Sequence, residues 1–172
     1  MKKLTAILLG ALAAGVLDIS YAFVVYGPLS YQLSPMQVLQ SIASGWIGHD
    51  TGDAGGWNTA LLGLGTHFML TTVFATVFVV AAARLPLLTR AAVLSGLLYG
   101  FGLYLVMTYI IVPLSAASHF QHFATDLNDA VARLSESFSS VRPKDKWQLL
   151  GTIFTHTVFV GLPIALINRR FT

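Results

Sequence analysis

Asp18, His67 and His156 each interrupt a long apolar run, so each puts an ionisable side chain where a membrane's hydrocarbon core would lie. Holding such a group at membrane depth costs free energy, and its presence there points to function by default. Three chemistries suit these residue types. An imidazole beside a carboxylate can take up and release a proton near neutral pH, which serves a proton-linked transporter or sensor. Two histidines at equal depth on facing helices can be the axial ligands of a b-type haem. Asp18, His67 and His156 together also have donor types that suit a divalent metal, without a ligand-spacing signature. A fourth reading involves no chemistry: Asp18 accepts a bond from one His and staples the helices. Such interhelical bonds average only about 0.6 kcal/mol in membranes.

The elements that must position these residues follow from composition. The 172-residue chain is 55% hydrophobic and 10% charged, with a mean hydropathy of +0.72. A soluble domain carries about 25% charged residues. The missing charges are absent from residues 4–26, 60–83, 91–112 and 149–167. Each stretch approaches or exceeds the ~20 residues that cross a ~30 Å hydrocarbon core. The expected fold is an all-α membrane protein, one integral membrane domain over residues 1–172, with four transmembrane helices and long loops at 27–59 and 113–147. Met1-Lys2-Lys3 followed by an apolar run also resembles a secretory signal, with Ser20-Tyr21-Ala22 as a possible cleavage site. The run continues through Phe23, Val24 and Val25 and contains Asp18, which favours a span.

Lys2, Lys3, Arg84, Arg90, Arg169 and Arg170 flank one side of the spans, whereas loop 27–59 has no Lys or Arg. In loop 113–147, Arg133, Arg142, Lys144 and Lys146 are balanced by Asp126, Asp129, Glu136 and Asp145. The positive-inside rule then puts both termini in the cytoplasm and both long loops outside. The net charge of +3 comes from these flanks and gives no argument for nucleic acid. With no Cys in the chain, disulfides and thiolate metal sites are excluded.

The spans read as one hairpin repeated. Pro28-Leu29-Ser30 recurs as Pro113-Leu114-Ser115, 85 positions on, and at the same offset Ala11 and Gly15 match Gly96 and Gly100. Both pairs have the small-xxx-small spacing that lets helices approach closely in lipid, and either face could form a homodimer. Thr66-His67 and Thr155-His156 recur at an offset of 89. Two spans per half would make the halves parallel about an axis along the membrane normal.

Both outer loops carry amphipathic patterns. Ser34-Pro35-Met36-Gln37 supplies an N-cap, a first-turn proline and a capping-box Gln, ahead of an apolar face of Val38, Leu39, Ile42, Ala43 and Trp46. A Gly-rich loop over residues 45–56 follows. In the second loop, Phe120, Phe123, Leu127, Val131, Leu134 and Phe138 recur at spacings of three and four, with Arg142-Pro143 ending the helix. Both are expected to lie in the outer interface or to cap the bundle; neither has the strongly basic face of an anionic-lipid binder, which favours a lid, with simple covering of the bundle's outer end as the alternative. His119, His122 and Asp126 would fall on one face of the second helix, and His49, Asp50 and Asp53 sit in the first loop. Together they are candidate ligands for a divalent cation.

Depth and facing complete the reading. Asp18 lies eight residues before Tyr26, while His67 and His156 each lie seven residues into their spans, from Ala60 and Leu149. At 1.5 Å per residue all three sit on the order of 10–12 Å below the outer boundary. Asp18 shares a face with Ala11, Ala14, Gly15 and Ala22; His67 lies between Gly63 and Thr71; His156 follows Thr152 by one turn. All three are expected to point toward protein, where an Asp–His pair would let both groups stay charged. Tyr99, Tyr104 and Tyr109 read as packing and interface anchors, and Pro163 as a kink in the last span. There is no nucleotide loop, catalytic triad arrangement or zinc-protease motif, so catalysis is not expected.

Gly65-Thr66-His67-Phe68, Arg84-Leu85-Pro86, the Gly96 to Gly100 spacing and Val112-Pro113-Leu114 together resemble the YagU-like family of bacterial inner-membrane proteins of unknown function. The His-bearing last span ending in Arg169-Arg170 is similar too. The resemblance implies a bacterial inner-membrane location and puts the emphasis on His67 and His156. Asp18 has no counterpart in that pattern. In the second half its position is taken by Leu103.

Overall fold

The computed structural model describes residues 1–139 and 146–172, and its regular structure is helical throughout. Four helices are long and apolar enough to cross a membrane: α1 (Lys2–Leu29), α4 (Gly56–Ala82), α6 (Ala92–Leu114) and α8 (Lys146–Phe171). Their 28, 27, 23 and 26 residues give lengths of roughly 35–42 Å at 1.5 Å per residue. Each exceeds the ~30 Å hydrocarbon core. Four shorter helices complete the described residues: α2 (Pro35–Ile47), α3 (His49–Ala54), α5 (Pro86–Arg90) and α7 (Leu127–Ser139). The expected helix end at Arg142-Pro143, with Lys144 and Asp145, lies outside the described residues.

The chain divides into two compact units. The first comprises Met1–Tyr21, His67–Tyr104 and Asp145–Thr172. Its core is built of small residues, with Ala11, Ala14, Ala75, Ala82, Ala92 and Ala165 around Phe78, Val160 and Ile164. Leu4, Leu8, Leu12, Val73, Val77, Leu94 and Leu98 face outward. Small residues inside and large aliphatic ones outside is the pattern lipid favours, because close backbone approach drives helix packing where no water must be expelled. Within this unit α1 meets α4 at Gly15 and Phe68 and meets α8 at Gly10 and Ile164. Helix α6 meets α8 through Gly96, Gly100 and Gly161, and meets α4 where Tyr99 packs on Phe78 and bonds the Phe74 carbonyl. Ala11, Gly15, Gly96 and Gly100 are thus buried inside the chain itself. A homodimer through those faces would have to displace the chain's own helices.

Two spans meet a proline with a widened, π-type turn, Met107–Ile111 ahead of Pro113 and Thr155–Gly161 ahead of Pro163, whereas the first span breaks at Gly27, just before Pro28. Proline lacks an N–H and its ring crowds the carbonyl four residues back, so an extra residue in the preceding turn relieves the clash. The proline expected to kink the last span, Pro163, lies just beyond the widened turn that begins at Thr155.

The second unit comprises Ala22–Thr66 and Leu105–Lys144. Ser34 and Gln37 form the anticipated capping box at the start of α2. The buried stripe of α2 is more polar than its pattern suggests: Val38, Gln40, Ala43 and Ser44 are buried, while Trp46 is exposed. Gln40 explains the change, since its amide donates to the Asp53 and Gly56 carbonyls and to the Thr59 hydroxyl. Those contacts organise the Gly-rich stretch, which contains α3 where a loop was expected. The second outer segment is helical only from Leu127, with Phe120 and Phe123 in the preceding turns. Asp126 sets this boundary: its Oδ1 accepts the Asp129 N–H at 3.0 Å, an N-cap that satisfies one of the helix's free donors.

Candidate functional site

Gly15 makes the site possible. A Cβ at Gly15 would lie 2.6 and 2.8 Å from two ring carbons of Phe68, so only glycine lets α1 and α4 approach this closely. The approach brings His67 Nε2 to 2.9 Å from the Gly15 carbonyl oxygen. A carbonyl can only accept, so Nε2 carries the proton and Nδ1 is the bare nitrogen of the neutral ring. His67 is buried, with its ring edge-on to Phe68 at 5.4 Å.

Nδ1 of His67 faces Asp18, at 3.9 Å from Oδ2. That is too long for a hydrogen bond yet within direct charge contact. The other carboxylate oxygen of Asp18 accepts the Thr155 hydroxyl at 2.7 Å, which ties α1 to α8. Thr155 is buried and opens the widened turn ahead of Pro163. One helical turn from Asp18, Tyr21 packs between Phe154 and Phe159, with ring centroids at 6.2 and 5.9 Å. Its hydroxyl rests on Gly151, where a Cβ would be 2.5 Å away. Asp18 keeps about a quarter of its side-chain surface exposed, at 25%, against 9% for His67. The cluster therefore draws on α1, α4 and α8 and pairs one base with one acid.

His156 is not part of this pair. It neighbours Thr155 in sequence but is turned by the helix toward α6, where its ring stands edge-on to Tyr104 at 6.2 Å. Its Nδ1 donates to the Thr152 carbonyl at 2.9 Å. Thr155 was legible in the sequence only as half of a repeated Thr-His dipeptide, and its bond to Asp18 is a role that the spacing alone could not reveal.

The geometry is a poor fit to the haem alternative. His67 has Nε2 on the Gly15 carbonyl and leaves Nδ1, which faces Asp18 of the neighbouring helix rather than His156. His156 turns to a different neighbour, and the α6–α8 contact beside it is backbone on backbone: a Cβ at Gly100 would overlap the His156 carbonyl. A metal shared by Asp18, His67 and His156 would lack its third ligand, because His156 turns toward Tyr104 of α6.

The outer candidates are separated as well. His119, His122 and Asp126 lie in turns before α7, so the helical face that would have aligned them does not exist. The His119 ring packs on Phe120 with centroids 3.9 Å apart, and Asp126 caps α7. His122 Nδ1 lies 2.8 Å from the Phe123 carbonyl and 3.2 Å from Arg133 Nη2. In the first loop, Asp50 pairs with Gln121 and His49 with the Ala117 carbonyl, while the backbone carbonyl of Asp53 receives Gln40. Among the described residues no three His, Asp or Glu side chains converge on a metal position. What the turns build instead is an arginine cradle. Arg133 is buried, bonding Asp129 Oδ1 at 2.8 Å, Ser118 Oγ at 3.1 Å and the His122 carbonyl at 2.9 Å.

No family model, curated protein or solved structure matches the chain.

Proposed function

We propose that the protein is a small proton-linked transport or sensing protein of the bacterial inner membrane, with both termini in the cytoplasm. In this reading the Asp18–His67 pair is its proton-binding site. The observation that carries it is the locked tautomer of His67. With Nε2 committed to Gly15, a proton entering or leaving His67 does so at Nδ1, 3.9 Å from Asp18. With one proton on the pair the site is neutral, as imidazolium and carboxylate or as imidazole and carboxylic acid. Attraction between unit charges near 4 Å is on the order of 4 kcal/mol at an effective dielectric of 20, and burying each ion costs several kcal/mol. In this proposal burial offsets enough of the ion pair's advantage for the proton to move between the groups. Thr155 holds one carboxylate oxygen through the exchange. The location is supported by Lys2, Lys3, Arg84, Arg90, Arg169 and Arg170, all exposed at one set of helix ends. The resemblance to the YagU-like family belongs to the same proposal.

A pH step across proteoliposomes holding a trapped pH-sensitive dye tests the transport form. Wild type should dissipate the step faster than Asp18→Asn or His67→Gln, and His156→Gln should behave as wild type. Equal rates for wild type and Asp18→Asn would refute it.

The competing reading is a polar staple, favoured by the 2.7 Å bond from Thr155 to Asp18 that joins two spans. It expects Asp18→Asn, which still accepts that bond, to leave every pH response unchanged.

A further inference from the structure

Helix α7 looks inside-out for a water-exposed segment. Its one arginine, Arg133, is only 3% exposed, while Leu127, Val131 and Phe138 are 78%, 57% and 60% exposed. These three recur at i, i+4 and i+11, so they share one face. In water this arrangement gains nothing, because apolar surface stays wet while a charge is desolvated. The inward network fixes that rotation: Asp129, Ser118 and the His122 carbonyl hold the guanidinium, and the Phe120 ring lies 4.2 Å beneath it.

We propose that the exposed face of α7 is a bilayer-docking surface, seated in the acyl chains of the outer leaflet. Continuity with a membrane-crossing helix identifies this occupant. The Phe138 ring stacks on Tyr109 of α6 at 5.4 Å and 11°. Tyr109 lies five residues inside the end of that span at Leu114, about 7–8 Å along the helix axis. The C-terminal end of α7 therefore reaches the depth of hydrocarbon. Toward its other end the face continues into Phe123, whose ring lies 6.0 Å from Trp46 on α2; both are exposed. Aromatic side chains with one polar edge settle at the headgroup boundary, and Trp46 has its indole N–H on Thr66. Arg133 is turned inward so that no cation faces lipid, and α7 is a half-sunk interfacial helix rather than a lid in water.

The chain has no cysteine, so single-cysteine variants can carry a nitroxide without background. Leu127→Cys, Val131→Cys and Glu136→Cys would be labelled in the full-length protein in phosphatidylcholine liposomes. Their collision rates with oxygen, which concentrates in lipid, and with a water-soluble nickel chelate would be measured. The labels at 127 and 131 should favour oxygen, and the label at 136, on the opposite face, should favour nickel. Nickel access at 127 and 131 equal to that at 136 overturns the proposal. Exclusion of both reagents with spin–spin broadening overturns it too, since a second copy would then cover the face. All three positions are exposed in the fold, so labelling need not disturb packing, and unchanged helical circular dichroism checks this.

Discussion

Two helix crossings in the first unit carry opposite chemistry. At one, Gly15 of α1 meets Phe68 and His67 of α4; at the other, Gly100 of α6 meets His156 and Thr157 of α8. The glycines are 85 residues apart and the histidines 89. At the first crossing the histidine reaches across to a carbonyl of the neighbouring helix, and an aspartate stands three residues beyond the glycine. At the second, the backbones touch, the histidine bonds within its own helix, and the aspartate's place is held by buried Leu103. A glycine that admits a side chain builds a polar site, whereas a glycine that admits a backbone builds a joint.

The largest way to break that contrast is to move the charge. Leu103→Asp places a carboxylate at a buried position with no donor provided for it, and should cost about 3 kcal/mol in detergent or bicelle unfolding. A cost below about 1 kcal/mol would mean that the second crossing has polar capacity the account denies it. Gly100→Ala comes next. Its methyl would overlap the His156 carbonyl, and rigid backbone cannot yield, so about 2 kcal/mol should be lost. Gly15→Ala meets the Phe68 ring instead, which can rotate, and should cost nearer 1 kcal/mol by the same measurement. Reversal of that order would contradict the joint-versus-site distinction.

Thr155→Val sharpens the polar side. It removes the hydroxyl that Asp18 accepts and should cost only about 0.6 kcal/mol, the usual worth of such bonds in membranes. Its diagnostic effect is on the infrared band of the Asp18 carboxyl, which should shift when the donor is lost. The smallest effect serves as an outer control. The Arg133 hydrogen bond, helped by the Thr125 N–H, holds Asp129 down at about 2 from the ordinary 3.8. A lowered folded value means its stabilisation is complete above roughly pH 4 and is lost as pH falls toward and through 2. Nitroxide mobility on α7 should rise in that window and not between pH 5 and 8, and Asp129→Asn should remove the transition.

The four spans were legible because uninterrupted apolar runs admit little else; their limits moved by only a few residues. The N-cap at Ser34 was legible because a capping box is a local device. The boundary of α7 was legible too, had Asp126 been weighed as a cap above the longer apolar periodicity that begins at Phe120. Partnership was harder to read. Asp18 was expected to face protein and to meet one histidine, but depth alone made His67 and His156 look equivalent. Their difference depends on which nitrogen meets which carbonyl, and on which helix packs against each face of α8, with Asp18 of α1 on Thr155 and Tyr104 of α6 beside His156. Neither can be read from spacing along one helix.

The central claim is that Asp18 and His67, and not His156, form one proton-sharing unit. Infrared difference spectra of the purified protein, recorded through pH 5 to 8 with labelled aspartate and histidine, test it directly. The account predicts that the carboxyl and imidazole signals change together in one coupled step. Asp18→Asn and His67→Gln should each abolish that step, and His156→Gln should leave it intact. Signals that titrate independently, or a step lost in His156→Gln and kept in His67→Gln, would contradict it.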